Sequence, residues 1–132
     1  MEISVELFMP EMLPMVHEWW ASEKFPLLPL EILPKTGIVV LVDDVAACAG
    51  WLYKSDSTLG YIEWIVANPL VRREKRDNAL NRLISELLYE AKKAKINLLF
   101  TSVKHPVLLK RLERMGFIAS DSGMTNMVWK GN

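Results

Sequence analysis

Residues 59–94 read LGYIEWIVANPLVRREKRDNALNRLISELLYEAKKA. The first nine, 59–67, are rich in β-branched and aromatic side chains and stop at Asn68-Pro69, which reads as a strand ending in a turn. Further on the period changes. Ala79, Leu80, Leu83, Ile84, Leu87, Leu88, Ala91 and Ala94 recur at helical spacing, with Asn81, Arg82, Ser85, Glu86 and Lys92 opposite. Asp77 is the expected N-cap, and the Lys-rich end at 92–95 suits the negative pole of the helix. A strand is expected next at 97–103. A strand–helix–strand passage within one sheet is a right-handed crossover, so strands 59–67 and 97–103 should lie parallel.

Working outward, 37–42, 45–53 and 59–67 are three strands separated by hairpin-length loops, the first of them at Asp43-Asp44. They read as an antiparallel meander, so the whole sheet is mixed. Ile3 to Phe8 alternate apolar and polar as a first strand. Met12, Leu13, Val16, Trp19 and Trp20 then share a helical face, and Pro14 requires that this helix begin or kink there. FPLLPLEILPKTG, at 25–37, holds three prolines and reads as loop with a short helical turn. A last helix is expected from Pro106 to Met115, closed by Gly116, with closing strand material at 117–119 and 124–129. No repeat or linker interrupts the order, and 1–132 reads as one domain.

The chain has 132 residues, 51% of them apolar and 24% charged, enough for a core without staples. Its single cysteine, Cys48, excludes an internal disulfide framework and fits a reducing compartment. The acidic start MEISVELF is not a signal peptide, and no apolar run approaches the ~20 residues of a membrane span, so a cytoplasmic protein is expected. The net charge of zero hides a division. Residues 1–70 carry three Lys/Arg against ten Asp/Glu, a balance of −7; residues 71–132 carry thirteen against six, a balance of +7. That asymmetry points to an anionic ligand on the second half, or to acid–base contact between halves or subunits.

The element order, the phrase YIEWIVANP before a charged stretch and helix, and LLKRLERMGF near the end together resemble the GCN5-related N-acetyltransferase family. The resemblance covers nearly the whole chain. It implies an α/β (α+β) fold with a mixed, mostly antiparallel twisted sheet flanked by helices on both faces. It also implies acetyl-CoA as cosubstrate and an amine as acceptor. In that family the fourth strand splays from the fifth and the pantetheine arm enters the gap. By position, Ile65, Val66 and Ala67 would offer backbone to that arm. Arg72, Arg73, Lys75, Arg76, Asp77, Asn78 and Ala79 would surround the pyrophosphate, and Ser102 would lie on the cofactor from the end of the fifth strand. The family motif is Arg or Gln, two residues, Gly, one residue, then Gly or Ala. Aligned on the apolar helix positions, residues 75–80 (KRDNAL) cover it with neither glycine.

Glu63, within IEWIV, is the candidate general base: the resemblance implies it, because related enzymes often keep a glutamate in the fourth strand, and a carboxylate between apolar strand residues can have a raised pKa. The alternative is a solvated or paired strand carboxylate. His105, after the fifth strand, would relay protons or line the acceptor pocket; its structural reading is a helix cap. The family's general-acid tyrosine has Leu112 at its place, and Tyr53, Tyr61 or water would have to substitute. His17 and Cys48 read as structural, and two histidines without paired carboxylates or cysteines give no metal signature.

Two functions therefore stand: an acyl-CoA-dependent N-acetyltransferase, and a catalytically inactive relative used as a binding or regulatory module. Nucleic-acid binding through RREKR ranks last, since the cluster lacks interleaved aromatics and the acidic first half opposes a phosphate backbone. A homodimer through a strand edge or the first helix is a further expectation.

Overall fold

A computed structural model describes residues 1–131, which divide into one compact unit at 1–102 and a second that begins at Val103. In the first unit β1 (Ile3–Leu7) is followed by a 3-10 turn, Pro10–Met12, and by α1 (Leu13–Ser22). Pro14 falls in the first turn of α1, where its missing N–H costs nothing, so the helix starts there rather than kinking. The proline-rich stretch forms only the 3-10 turn Leu30–Ile32. Then come β2 (Thr36–Val42), β3 (Val45–Lys54), β4 (Leu59–Ala67), α2 (Arg73–Lys93) and β5 (Leu98–Phe100).

The sheet order is β1-β2-β3-β4-β5, with three antiparallel pairings and a parallel one between β4 and β5. The sequence reading of a mixed, mostly antiparallel sheet holds, and the crossover through α2 is the reason. The β2–β3 hairpin turns at Asp43 and Asp44, whose φ values of 50° and 66° are the left-handed pair of a two-residue loop.

Alternation along β3 separates the two faces. A Cβ at Gly50 would meet Leu83 and Leu87 of α2 at 3.2–3.3 Å, so Gly50 faces α2. Its neighbour Trp51 points the other way, into a core with Val16, Trp19, Trp20, Leu28, Val39, Ala49 and Val66 beneath α1. Trp20 and Trp51 are both fully buried, their rings 5.5 Å apart and tilted, with Phe8 edge-on to Trp51 at 5.1 Å. Two buried indoles contribute roughly 5 kcal/mol each by area alone. His17 ties this layer to the loop, its Nε2 2.7 Å from the Leu28 carbonyl oxygen.

Two expectations of the first unit need correction. Strand β5 is only Leu98–Phe100 of the expected 97–103, because its pairing with β4 ends at Phe100. The long helix also starts early. Helix α2 opens at Arg73, four residues before the expected cap Asp77; its N-cap is Arg72, with no side-chain capping bond. Asn68 explains the early start. Its side-chain oxygen accepts from Leu70 N at 3.0 Å and its carbonyl from Val71 N at 3.2 Å, so the turn is finished by Val71. Arg73, Glu74, Lys75 and Arg76 are good helix formers and simply continue.

The second unit contains α3 (Pro106–Arg114), opened by proline as expected. The strands expected at 117–119 and 124–129 are not formed among the described residues. Ile118, Met124, Met127, Val128 and Trp129 are largely exposed. A strand needs a partner edge, and alternation alone does not supply one.

Candidate active site

The site is set by where β4 and β5 part. Their parallel pairing runs only through Leu59↔Leu98, Gly60↔Leu99 and Tyr61↔Phe100, while β4 continues to Ala67. Beyond Tyr61, β4 keeps β3 on one side and, among the described residues, no strand on the other. Within this stretch the register with β3 jumps. Trp51 pairs with Glu63 and Ala49 with Val66, so Gly50 stands opposite both Trp64 and Ile65. Two residues opposing one is a β-bulge, and Trp64 takes it up at φ 65°, a conformation strained for a bulky side chain.

Three hydrogen bonds hold the strained residue. Trp20 Nε1 donates to the Trp64 carbonyl at 3.4 Å, Trp64 Nε1 donates to the Tyr53 hydroxyl at 2.8 Å, and that hydroxyl donates to the Ile32 carbonyl at 2.8 Å. Helix α1, strand β3 and the proline-rich loop are thus all tied to the bulge. Burial raises the Tyr53 phenol above its ordinary value; the Trp64 hydrogen bond offsets part of this, and the nearby Glu63 carboxylate adds to it.

Glu63 shares the α1 face, since its cross-strand partner Trp51 lies there. It is half-buried, and desolvation pushes its carboxyl above the usual carboxylate range. Among the described residues no donor or cation pairs with it. A half-buried carboxylate without a partner is poised to accept a proton.

The remaining expected positions are placed as follows. Ile65 lies on the α2 face beside Gly50, Val66 is buried under α1, and Ala67 pairs with Cys48. Asn78 is helical rather than left-handed, and its Nδ2 donates to the Glu74 carbonyl at 3.0 Å. Ala79 is buried, Asp77 half-buried, and Ser102 exposed at the end of the first unit. Lys75 is held by Asp43 at 3.0 Å. That carboxylate lies below its ordinary value, chiefly because it accepts from Glu2 N, then because of Lys75. Arg72 meets Glu74 only at 3.9 Å with both side chains exposed, and Arg73 and Arg76 have no acidic partner among the described residues.

The first turn of α2 therefore presents amides of Arg73, Glu74 and Lys75 that have no intrahelical acceptor and no side-chain cap. No residue between 65 and 94 has a positive φ, so this helix start does not require the conformational freedom of the missing glycines. In the second unit His105 caps α3, its Nδ1 accepting from Val107 N at 3.2 Å, which leaves Nε2 unengaged by the cap. Leu112 is buried and offers no proton. A recess of about 270 Å³ lies along Phe8, Pro10, Leu30, Leu33, Pro34 and Lys35; none of the expected site residues lines it.

Solved structures share this arrangement of strands and helices over nearly the whole chain. The ribosomal-protein-S18-alanine N-acetyltransferase of Escherichia coli matches with a TM-score of 0.75 at 13% identity, over 91% of this chain and 80% of that one. Rv2747 from Mycobacterium tuberculosis, solved in complex with CoA, matches with a TM-score of 0.73 at 16% identity, over 92% and 76%. A transcriptional regulator from Bacillus halodurans C-125 matches with a TM-score of 0.74 at 16% identity, over 96% and 100%. The chain has the GCN5-related N-acetyltransferase fold. No protein-family model matches it, and no curated protein matches it by sequence. Sequence reasoning did not find the Trp20–Trp64–Tyr53–Ile32 chain. Its only trace in the sequence is the tryptophans and the tyrosine themselves, because the bonds depend on the bulge register.

Proposed function

We propose that this chain, acting as one domain, is an acyl-CoA-dependent N-acyltransferase that moves an acetyl group from acetyl-CoA to a primary amine in the cytoplasm. The observation that carries the reading is the partnerless, half-buried Glu63 carboxylate on the stretch of β4 that has parted from β5. Acetyl-CoA would supply a thioester carbonyl as electrophile and a thiolate as leaving group. The uncapped amides of Arg73, Glu74 and Lys75, with the unpaired Arg73 and Arg76 guanidinium groups, would hold its pyrophosphate. The open edge of β4 at Ile65–Ala67 would pair with the amide arm. Glu63 would take the proton that the amine sheds as the C–N bond forms and the C–S bond breaks. Solvent would return a proton to sulfur.

Lys75 favours the second reading, a non-catalytic binding module, because Asp43 already occupies it. Calorimetric titration with acetyl-CoA and with CoA separates the two. Micromolar affinity, followed by amine-dependent thiol release that falls about a hundredfold or more in Glu63→Gln, supports the enzyme. Absence of binding to either ligand at near-millimolar concentration leaves the module.

A further inference from the structure

The α1 face of β4 and β5 carries more than the carboxylate. Tyr61 pairs with Tyr53 across β3, so it lies on the same face as Glu63, two residues and about 7 Å along the strand. Its parallel partner Phe100 stands beside it, the two rings 5.8 Å apart and tilted by 33°. Both are 41% exposed, and Leu98, two residues before Phe100 on that face, is 54% exposed. The Tyr53 hydroxyl on the other side accepts from Trp64 and has its proton committed to Ile32, so it has no donor left for a ligand. The result is an exposed apolar strip, Leu98–Phe100–Tyr61, ending at a single unpaired carboxylate.

Such a strip selects among amines. One ammonium is satisfied by Glu63, and ring faces beside it favour a flat apolar body and a cation. A polyamine would find no anion for its second ammonium along Leu98 and Phe100, so its extra charge adds little where the strip is open to water. We propose that the amine taken at this site is a small primary amine on an aryl body, its ammonium on Glu63 and its ring on the Tyr61–Phe100 pair. Calling that amine the acceptor rests on the acyltransferase reading; its binding does not.

The test is calorimetric titration of the full chain with phenethylamine, n-propylamine and spermidine, each with and without saturating CoA, beside a separate CoA titration. Phenethylamine is expected to bind about tenfold or more tighter than the other two, the scale of one good ring contact. Phe100→Ala and Tyr61→Ala should each cut that preference to about threefold or less while the CoA titration and the melting transition stay close to wild type. Should either variant fail to fold, Phe100→Leu, which keeps apolar bulk without the ring, serves instead. Glu63→Gln should weaken all three amines. Spermidine binding as tightly as phenethylamine overturns the proposal, as does an aryl preference that survives loss of both rings, or no amine binding in either state. Aryl-amine binding with no CoA binding sinks only the acyltransferase reading.

Discussion

Glu63 is the residue on which stability and chemistry pull apart. Burial raises its carboxyl in the folded chain above its value in the unfolded one, without a compensating donor. The protonated form is therefore favoured by folding. The stability tied to it is full below the unfolded value, near 4.3, and is lost as pH rises through the folded value. Glu63→Gln removes this dependence. Its melting temperature should exceed that of the wild type above about pH 6, and the gap should close toward about pH 4. Parallel melting curves at the two pH values check this; a variant less stable at both would mean that the carboxylate has a partner after all. Trp51 shows a different conflict. Its Nε1 is buried with no hydrogen-bond partner among the described residues, and a Cβ at Gly37 would overlap that atom and lie 2.9 Å from Phe8 Cβ. Gly37→Ala should cost about 1–3 kcal/mol in denaturant unfolding by overpacking a core with no slack.

At the scale of elements, the bulge in β4 and the turn between β2 and β3 both place non-glycine residues at positive φ. They differ in what holds them. The bulge is braced through Tyr53, whose hydroxyl serves Trp64 and Ile32 together. Tyr53→Phe leaves both partners without it and should cost about 1–2 kcal/mol. It should also lower turnover with CoA affinity unchanged, because the brace sets the strand beside Glu63 and not the start of α2. In the turn, Asp43 is engaged by Glu2 N and Lys75, whereas Asp44 has no such bond among the described residues. Asp44→Gly should stabilise the chain by about 1 kcal/mol, read as a higher urea midpoint at constant slope. The helix start belongs to this scale too. Neither Asp77 nor the absence of glycine decided it; the Asn68 turn did.

Over the whole molecule, the charge division is the feature with consequences. The Asp43–Lys75 ion pair crosses it, while Arg72–Glu74, Arg82–Glu86 and Lys93–Glu90 lie within or just before α2. Arg73 and Arg76 are left for an anion. Charge reversal of both, Arg73→Glu with Arg76→Glu, should weaken CoA binding about tenfold or more and make it less salt-dependent. It should barely change the melting temperature, since neither side chain is ion-paired in the folded chain and acidic groups suit a helix N-terminus. Equal CoA affinity in the variant would place the pyrophosphate elsewhere. Among the described residues no helix is long and apolar enough to cross a membrane.

Most of this architecture was legible in the sequence because it is written in near neighbours. Period two in β1, apolar β-branched runs in β2–β4, period 3.6 in α2, and hairpin-length loops at 43–44 and 54–58 each report contacts a few residues apart. The parallel partnership of β4 and β5 follows from the handedness of crossovers. Glu63 could be singled out because its strand resembles the family's fourth strand, with its apolar neighbours as the physical reason. What only the tertiary structure decided depends on register between distant segments. The bulge opposite Gly50 settles what brackets Glu63. Asp43 reaches Lys75 across 32 positions of chain, and Phe100 stands beside Tyr61 only because β5 pairs there before the strands part. Such contacts carry no local period, since side-chain packing between segments, rather than backbone preference within one, selects the register.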